Sequence, residues 1–148
     1  PNSWIWVQAN HFKKSRSSIS ASIATIPFLG MEFAGFIIGL LIEDKLYRFT
    51  TYRSAKIVFL EYNGSKIEWI VKQKNLTLSI NIFKGNKSGI LYAPDKNDMV
   101  EKVSEYLNSK VVVRLQDKEN IIFEDESSLA GNEIIGDLDY LLQLAKKH

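Results

Sequence analysis

Apolar and polar residues alternate with a period of two along most of the chain, which is typical of β-strands with one buried face. In residues 18–23 isoleucine and alanine alternate with serine, and in residues 76–82 leucine and isoleucine alternate with threonine, serine and asparagine. The aromatic and β-branched segment 4–12 divides in the same way, and one of its faces holds Trp4, Trp6, Gln8, Asn10 and Phe12. The pattern predicts about nine or ten short strands.

Turn-forming residues join these strands into hairpins. Asn63-Gly64 predicts a type I′ turn between strands at 56–62 and 65–72, because both central residues of that turn need a positive φ angle. Glu43-Asp44 predicts a second hairpin, which makes the apolar run 33–42 a strand. Residues 117–120 predict a third hairpin between 111–116 and 121–126, and a final strand is expected over 128–135.

Two segments show the pattern of a helix instead. Asp98, with Glu101 three residues further on, forms an acidic variant of a capping box ahead of apolar residues at helical spacing. Asp137 precedes a second apolar stripe, which ends at Lys146 and Lys147, and these cations suit the negative end of a helix dipole. We predict helices over residues 98–108 and 137–147.

These elements predict a mainly β fold built as a single closed or nearly closed antiparallel barrel. The 148 residues fit one domain, and closing the sheet removes the exposed edges that many short strands would otherwise leave. A barrel of roughly eight or more strands can also hold one small ligand inside. A hydrophobic small molecule is therefore the expected partner.

Composition excludes several other classes of function. With 19 basic and 17 acidic residues the formal net charge is +2, which does not indicate a nucleic-acid partner. Cysteine is absent, and His11 and His148 are the only imidazoles, so we predict neither a zinc site nor a Ser-His-Asp triad, and no metal or other cofactor. The apolar run 33–42 is shorter than the ~20 residues of a membrane-spanning helix.

Four segments resemble, in order, the successive motifs of the tocopherol cyclase family. They are Trp6-Val7-Gln8-Ala9-Asn10-His11-Phe12, Leu46-Tyr47-Arg48-Phe49, Leu91-Tyr92-Ala93-Pro94, and the stretch SSLAGNEIIG at residues 127–136. The resemblance implies a lipocalin-like (calycin) β-barrel and, in the plant and cyanobacterial members, closure of a prenylated hydroquinone to a chromanol ring. Because this chain resembles only their C-terminal half and opens at Pro1, we expect it to lack an N-terminal partner domain.

Ring closure needs an acid that protonates an alkene, π faces beside the resulting cation, and a dry site. Glu133 is the predicted catalytic acid, because on a strand from Ser128 it shares a face with Leu129 and Ile135, and apolar surroundings disfavour an ionised carboxylate. The alternatives are that Glu133 pairs with a cation, or that it faces water after a one-residue bulge that turns Asn132 inward.

Six further residues are predicted to line the substrate site: Trp6, Gln8, Asn10, Tyr47, Trp69 and Tyr92. The two amides share a strand face with an indole, a combination that suits a polar head group in an apolar lining. The two indoles offer π faces to a cation, and the two phenols offer hydroxyl groups to a quinol. The alternative in each case is structural: amides bonded to backbone or facing solvent, indoles in the core, and strand aromatics with wet tips.

Three functions follow from this sequence. The first is a tocopherol cyclase-like protein that binds a prenyl-quinol or similar isoprenoid and closes the ring, the second a non-catalytic carrier or sensor of hydrophobic molecules, and the third a structural half-domain. A homodimer or the missing domain would cover an exposed apolar patch. Lys13-Lys14-Ser15-Arg16 suggests peripheral contact with anionic lipid headgroups, or simply a solvated turn. The expected location is the cytoplasm or a membrane surface.

Overall fold

The computed structural model describes residues 3–95 and 98–146, and it describes side chains outside residues 86–105. Within these ranges ten strands and one α-helix follow one another: β1 Trp4–Ala9, β2 Ser17–Phe28, β3 Met31–Ile42, β4 Lys45–Thr50, β5 Lys56–Tyr62, β6 Lys66–Gln73, β7 Leu76–Phe83, β8 Asn86–Asp95, β9 Asp98–Asp117, β10 Asn120–Ile135 and α1 Leu138–Ala145. A 3-10 turn, Thr51–Arg53, follows β4. The predicted mainly β fold class is confirmed.

All ten strands belong to one antiparallel sheet. Hydrogen-bonded neighbours follow the order β4-β3-β2-β1-β10-β9-β7-β6-β5, and β8 pairs with the first half of β9. The sheet curls into a half-barrel that is consistent with a lipocalin-like barrel. Pairing of the first strand with the last, from Trp4↔Ile135 to Gln8↔Gly131, brings the two ends of the chain's β region together.

In the described part of the chain the sheet is not closed by a strand ladder, because β4 and β5 lie at opposite ends of the hydrogen-bonded order. The Nε2 of Gln73, on β6, donates to the carbonyl oxygen of Arg48, on β4, at 3.1 Å. Elsewhere α1 packs against β2, β3 and β5. We call the gap between the β3–β4 edge and the β5–β6 edge the seam.

The concave face of the sheet carries the hydrophobic core. On β1 the residues that face it are Ile5 and Val7, both with 0% of their surface exposed. The largest side chain in the core is Trp69, whose ring packs edge-to-face on Phe36 with centroids 6.1 Å apart. Such an aromatic pair contributes roughly 0.5–1.5 kcal/mol beyond the burial of its area.

The C-terminal helix begins and ends close to its predicted bounds. The side chain of Asp137 accepts a hydrogen bond from the backbone N–H of Tyr140 at 3.1 Å, which is the predicted N-cap. Leu141 and Leu144 are buried, so the apolar stripe faces the core. The Tyr140 hydroxyl donates to Glu32 at 3.0 Å, and this hydrogen bond raises the pKa of Tyr140.

The helix predicted over residues 98–108 is wrong, because this segment is the first half of β9. Its backbone pairs with β8, from Asp95↔Asp98 to Asn86↔Leu107, and with the end of β10 on its other side. A capping box satisfies the backbone of one helical turn, whereas β8 pairs along nearly the whole segment and β10 along its second half, from Val103 onward. Pairing across the sheet therefore overrides the local helix signal.

The predicted hairpins at Glu43-Asp44 and Asn63-Gly64 are present, but the turn at the second is not type I′. Of its residues only Gly64 has a positive φ, of 94°. The side-chain oxygen of Asn63 accepts hydrogen bonds from the backbone N–H groups of Ser65 and Lys66, at 3.1 and 2.9 Å. Gly64 therefore takes the first central position, as in a type II′ turn, and Asn63 stabilises it from outside.

Candidate functional site

One bulge in β10 decides which of its following residues face the core. Between the pairs Ser127↔Val111 and Ala130↔Ser109 the strand β10 has one residue more than β9, whereas the next shift, before Asn132, is an extra residue in β9. As a result Asn132 lies opposite Val7 with 0% of its surface exposed, whereas Glu133 lies opposite Trp6 and is half-buried on the convex face. The inward orientation predicted for Glu133 is wrong, and the alternative in which Asn132 turns inward is the observed one.

The first strand presents its predicted site residues to the convex face as well. Trp6 is half-buried and lies over Gly131, where its ring is 4.0 Å from the position of an added Cβ. Gln8 is exposed, and Asn10 is exposed just beyond the end of β1. The expectation that these three side chains line an interior site is wrong, because the β-branched row of Ile5 and Val7 fills that side.

The remaining predicted residues have different positions. Tyr47 is half-buried on β4 and faces the seam, and Trp69 is 1% exposed in the core. The backbone of Tyr92 belongs to β8, but its side chain lies outside the described residues. Tyr47 therefore lies at the seam, and Trp69 lies in the core behind the residues that line the seam. Both are away from Trp6, Gln8 and Glu133.

One side of the seam holds a cleft of about 360 Å³, which we call the apolar cleft. It is lined by Ala34, Phe36, Thr51, Ser54, Ala55, Lys56 and Ile57. Phe36 connects this lining to the core through its contact with Trp69. The indole N–H of Trp69 is buried and has no hydrogen-bond partner among the described atoms. A mostly apolar wall with a few polar groups is the usual lining of a small-molecule site.

A second cleft of about 370 Å³, the polar cleft, lies between β4 and β6. It is lined by Leu46, Tyr47, Arg48, Phe49, Arg53, Gln73 and Leu76. The Oε1 of Gln73 is buried and accepts no hydrogen bond from the described residues. The Lys45 ammonium lies 4.8 Å from the centroid of the Tyr47 ring. This cleft therefore combines an unused acceptor, a phenol and two guanidinium groups.

The turn after β4 separates the two clefts and is firmly held. The Thr50 hydroxyl accepts from the backbone N–H of Arg53 at 3.1 Å, and Ser54 ends the turn in the left-handed conformation with φ of 64°. The Thr51 hydroxyl accepts from the backbone N–H of Phe36 at 2.9 Å, which ties the turn to β3. Thr51 and Arg53 line different clefts, so the clefts lie on either side of this turn.

A polar cluster built around Lys84 was not predicted from the sequence. The Lys84 ammonium donates to the Tyr62 hydroxyl and lies 4.5 and 4.9 Å from the ring centroids of Tyr62 and Tyr106. Next along the chain, the N–H of Gly85 donates to the Ser109 hydroxyl, which in turn donates to Asn132. No signal in the sequence joins these residues, because they come from β5, β9, β10 and the segment after β7.

The described side chains contain no group of three histidine or acidic residues placed to hold a metal ion. Nor does any helix among the described residues have the length and apolar character needed to cross a bilayer.

A comparison with protein-family models matches residues 1–136 to the family described as tocopherol cyclase-like. No curated protein and no solved structure gave a match. The matched segment runs from before β1 to just past the end of β10, and it includes the turn and the strands that form both clefts. The protein therefore belongs to the tocopherol cyclase-like family.

Proposed function

We propose that this protein binds a prenylated hydroquinone, or a similar isoprenoid with a polar head, in the seam. One observation carries the proposal: an apolar and a polar cleft, of about 360 and 370 Å³, lie on either side of the three-residue Thr51–Arg53 turn. Each volume falls in the range of small-molecule sites, roughly 300–1,000 Å³. An amphipathic molecule can occupy both clefts at once, with its tail on one side of the turn and its head on the other.

The polar cleft suits a hydroquinone head. A phenolic O–H is a donor, and the buried Oε1 of Gln73 is an acceptor that the described residues leave unused. The ligand's oxygen atoms can in turn accept from the Tyr47 hydroxyl and from the guanidinium of Arg53, which line the same cleft. The recognition is therefore directional at this end of the ligand.

The apolar cleft suits a prenyl tail. Phe36, Ala55 and Ile57 present hydrocarbon to it, and no charged group except Lys56 belongs to its lining. Burial of a CH₂ group contributes about 0.8 kcal/mol, so one five-carbon isoprene unit contributes up to about 4 kcal/mol. Most of the affinity would come from this end, and the head would fix the orientation.

Chromanol ring closure is the second part of the proposal. It would use the aromatic wall of Phe36, backed by Trp69, to stabilise the tertiary cation. Glu133 lies on the convex face, so the proton would come from a different group. A carrier or sensor would use the same two clefts without turnover, and an assay of product separates these functions. A structural half-domain would use neither cleft.

Binding is measured with a prenyl-hydroquinone and a protein in which Trp4→Phe and Trp6→Phe leave Trp69 as the sole tryptophan of the three. We expect the ligand to change Trp69 fluorescence. Ala55→Leu, which fills the apolar cleft, should weaken binding at least about tenfold, and Gln73→Leu should weaken it roughly two- to tenfold through loss of one hydrogen bond.

Gln8→Leu is the matched control for Gln73→Leu, because Gln8 is exposed on the convex face. It should leave binding unchanged. The proposal is overturned if the unmodified protein binds no prenyl-hydroquinone, or if Gln8→Leu weakens binding as much as Gln73→Leu. Chromatography of the same samples for chromanol tests ring closure, and product formation should survive Glu133→Gln.

A further inference from the structure

The hairpin between β2 and β3 ends in an unusually apolar turn. Phe28, Leu29 and Met31 are 64%, 87% and 75% exposed, and Gly30 stands among them. No polar side chain interrupts the four residues of this tip. Single exposed apolar residues are common on protein surfaces, but a continuous group at the end of a protruding hairpin is typical of a contact site.

The backbone conformation of the tip is also unfavourable for its sequence. Phe28 pairs with Met31, so the loop has two residues, and both have positive φ: 50° at Leu29 and 78° at Gly30. This is the signature of a type I′ turn, whose first central position favours asparagine, aspartate or glycine. Leucine is disfavoured there by its Cβ and is also exposed. No hydrogen bond or ring contact of Leu29 among the described residues offsets this unfavourable backbone conformation.

Basic residues without carboxylate partners lie across the seam from the tip's half of β3. Among the described side chains, Arg53, Lys56 and Lys72 form no ion pair with a carboxylate. Lys56 lines the apolar cleft together with Ala34 and pairs with Lys72 across β5 and β6, and Arg53 belongs to the turn that Thr51 ties to Phe36. In contrast, the basic turn is neutralised by Glu126, Glu43 and Asp44, at 3.6, 3.7 and 3.1 Å from Lys13, Lys14 and Arg16.

We propose that the β2–β3 tip inserts into an anionic lipid bilayer, with the basic residues around the seam on the headgroups. Three side chains on a protruding turn do not supply the roughly 800 Å² that each partner contributes to a standard protein interface. A bilayer, however, accepts a convex tip, and unpaired cations beside it complement anionic lipid. This surface is distinct from the basic turn of residues 13–16, for which contact with anionic lipid was predicted.

Docking by this tip would hold the apolar cleft close to the membrane. Met31 and Ala34, which lines that cleft, lie three residues apart on β3, or about 10 Å at 3.3 Å per residue. A ligand dissolved in the bilayer would then have a short path to the seam. The docking itself does not depend on the proposed ligand.

The experiment is co-sedimentation of the protein with phosphatidylcholine vesicles that contain phosphatidylserine. We expect Leu29→Asn to lower the partition coefficient at least about tenfold, because it removes a leucine side chain from the membrane. Asparagine suits the left-handed position, so this variant should melt at the same or a higher temperature than the unmodified protein. Unchanged folding therefore accompanies the loss of binding.

Ile121→Asn is the matched control, because Ile121 is a 55% exposed residue beside a different hairpin turn. It should leave vesicle binding unchanged. Arg53→Gln and Lys56→Gln should each weaken binding about fivefold on anionic vesicles and have little effect on phosphatidylcholine alone. The proposal is overturned if Leu29→Asn binds vesicles as well as the unmodified protein does. It is also overturned if the unmodified protein is a dimer that binds no vesicles and Leu29→Asn only dissociates this dimer.

Discussion

The concave and convex faces of β1 and β10 differ in a way that composition alone conceals. The convex face carries Trp6, Gln8 and Glu133, a mixture of indole, amide and carboxyl that is typical of a ligand site. The concave face carries Ile5, Val7 and Asn132, which is typical of a core with one buried polar group. The residues whose chemistry is typical of a ligand site therefore lie on the convex face and do not line the interior.

Side-chain chemistry therefore locates a site only after the register of the strands is known. In β10 one bulge between Ser127 and Ala130 moves the carboxyl group of Glu133 outward and brings Asn132 inward. A single-residue change of phase moves every following side chain to the other face of a sheet. Variants that exchange properties between the two faces test this assignment directly.

The largest effect is expected from a charge on the concave face. Val7 is 0% exposed, so Val7→Asp would bury an unpaired carboxylate and destabilise the fold by more than about 4 kcal/mol. Gln8→Asp places the same group one residue away on the exposed face and should change stability by less than about 0.5 kcal/mol. Urea unfolding monitored by circular dichroism measures both, and equal losses of stability would contradict the assigned faces.

A smaller effect separates the two neighbours on β10. Asn132→Ala removes the acceptor of the Ser109 hydroxyl in the core and should cost about 1–3 kcal/mol. Glu133→Gln alters a half-buried group on the convex face and should change stability by less than about 0.5 kcal/mol. The free energies of unfolding of the two variants provide the test. A larger loss in Glu133→Gln would contradict the bulge between Ser127 and Ala130 that turns Glu133 outward.

The smallest effect concerns pH and an exposed pair on the sheet. The Lys110 ammonium hydrogen-bonds to Glu126 and, with Lys13, lowers the pKa of that carboxyl below its ordinary value of 4.5. A lowered folded-state pKa stabilises the protein above 4.5, and the contribution disappears as pH falls through the folded-state pKa.

The stability difference between the unmodified protein and Lys110→Gln should therefore narrow when pH is lowered from about 6 to about 3. It should also narrow in high salt, because the pair is exposed to solvent. Urea titrations across this pH range measure the difference. A stability difference that stays constant with pH would show that Lys110 does not lower the pKa of Glu126.

Local signals predicted the parts of the fold that local interactions determine. Asp137 caps α1 through a hydrogen bond three residues away, and the Glu43-Asp44 hairpin joins strands adjacent in sequence. The segment after Asp98 carried an equally local helix signal, but pairing with β8 and β10 outweighed it. Those competing partners lie at other places in the chain, so a capping pattern cannot weigh them.

The clefts depend on contacts between distant parts of the chain. Tyr47, which was predicted to bind substrate, lines the polar cleft, and substrate binding there is a proposal. Gln73 and Arg53 line the same cleft and were not predicted, because each is an ordinary polar residue at the end of an element. The seam depends on which strands end the hydrogen-bonded order, and this order joins β1 to β10 across more than a hundred residues. The alternation of apolar and polar residues contains no information about which distant strands pair.

Nuclear magnetic resonance of the isotope-labelled protein shows directly whether an isoprenoid binds in the seam. When a prenyl-hydroquinone is added, the backbone amide of Ala55, the side-chain amide of Gln73 and the indole N–H of Trp69 should shift together with one dissociation constant. Signals from Trp6, Gln8 and Glu133 on the convex face should stay in place. Shifts confined to these convex-face residues would contradict binding in the seam, as would a spectrum that the ligand leaves unchanged.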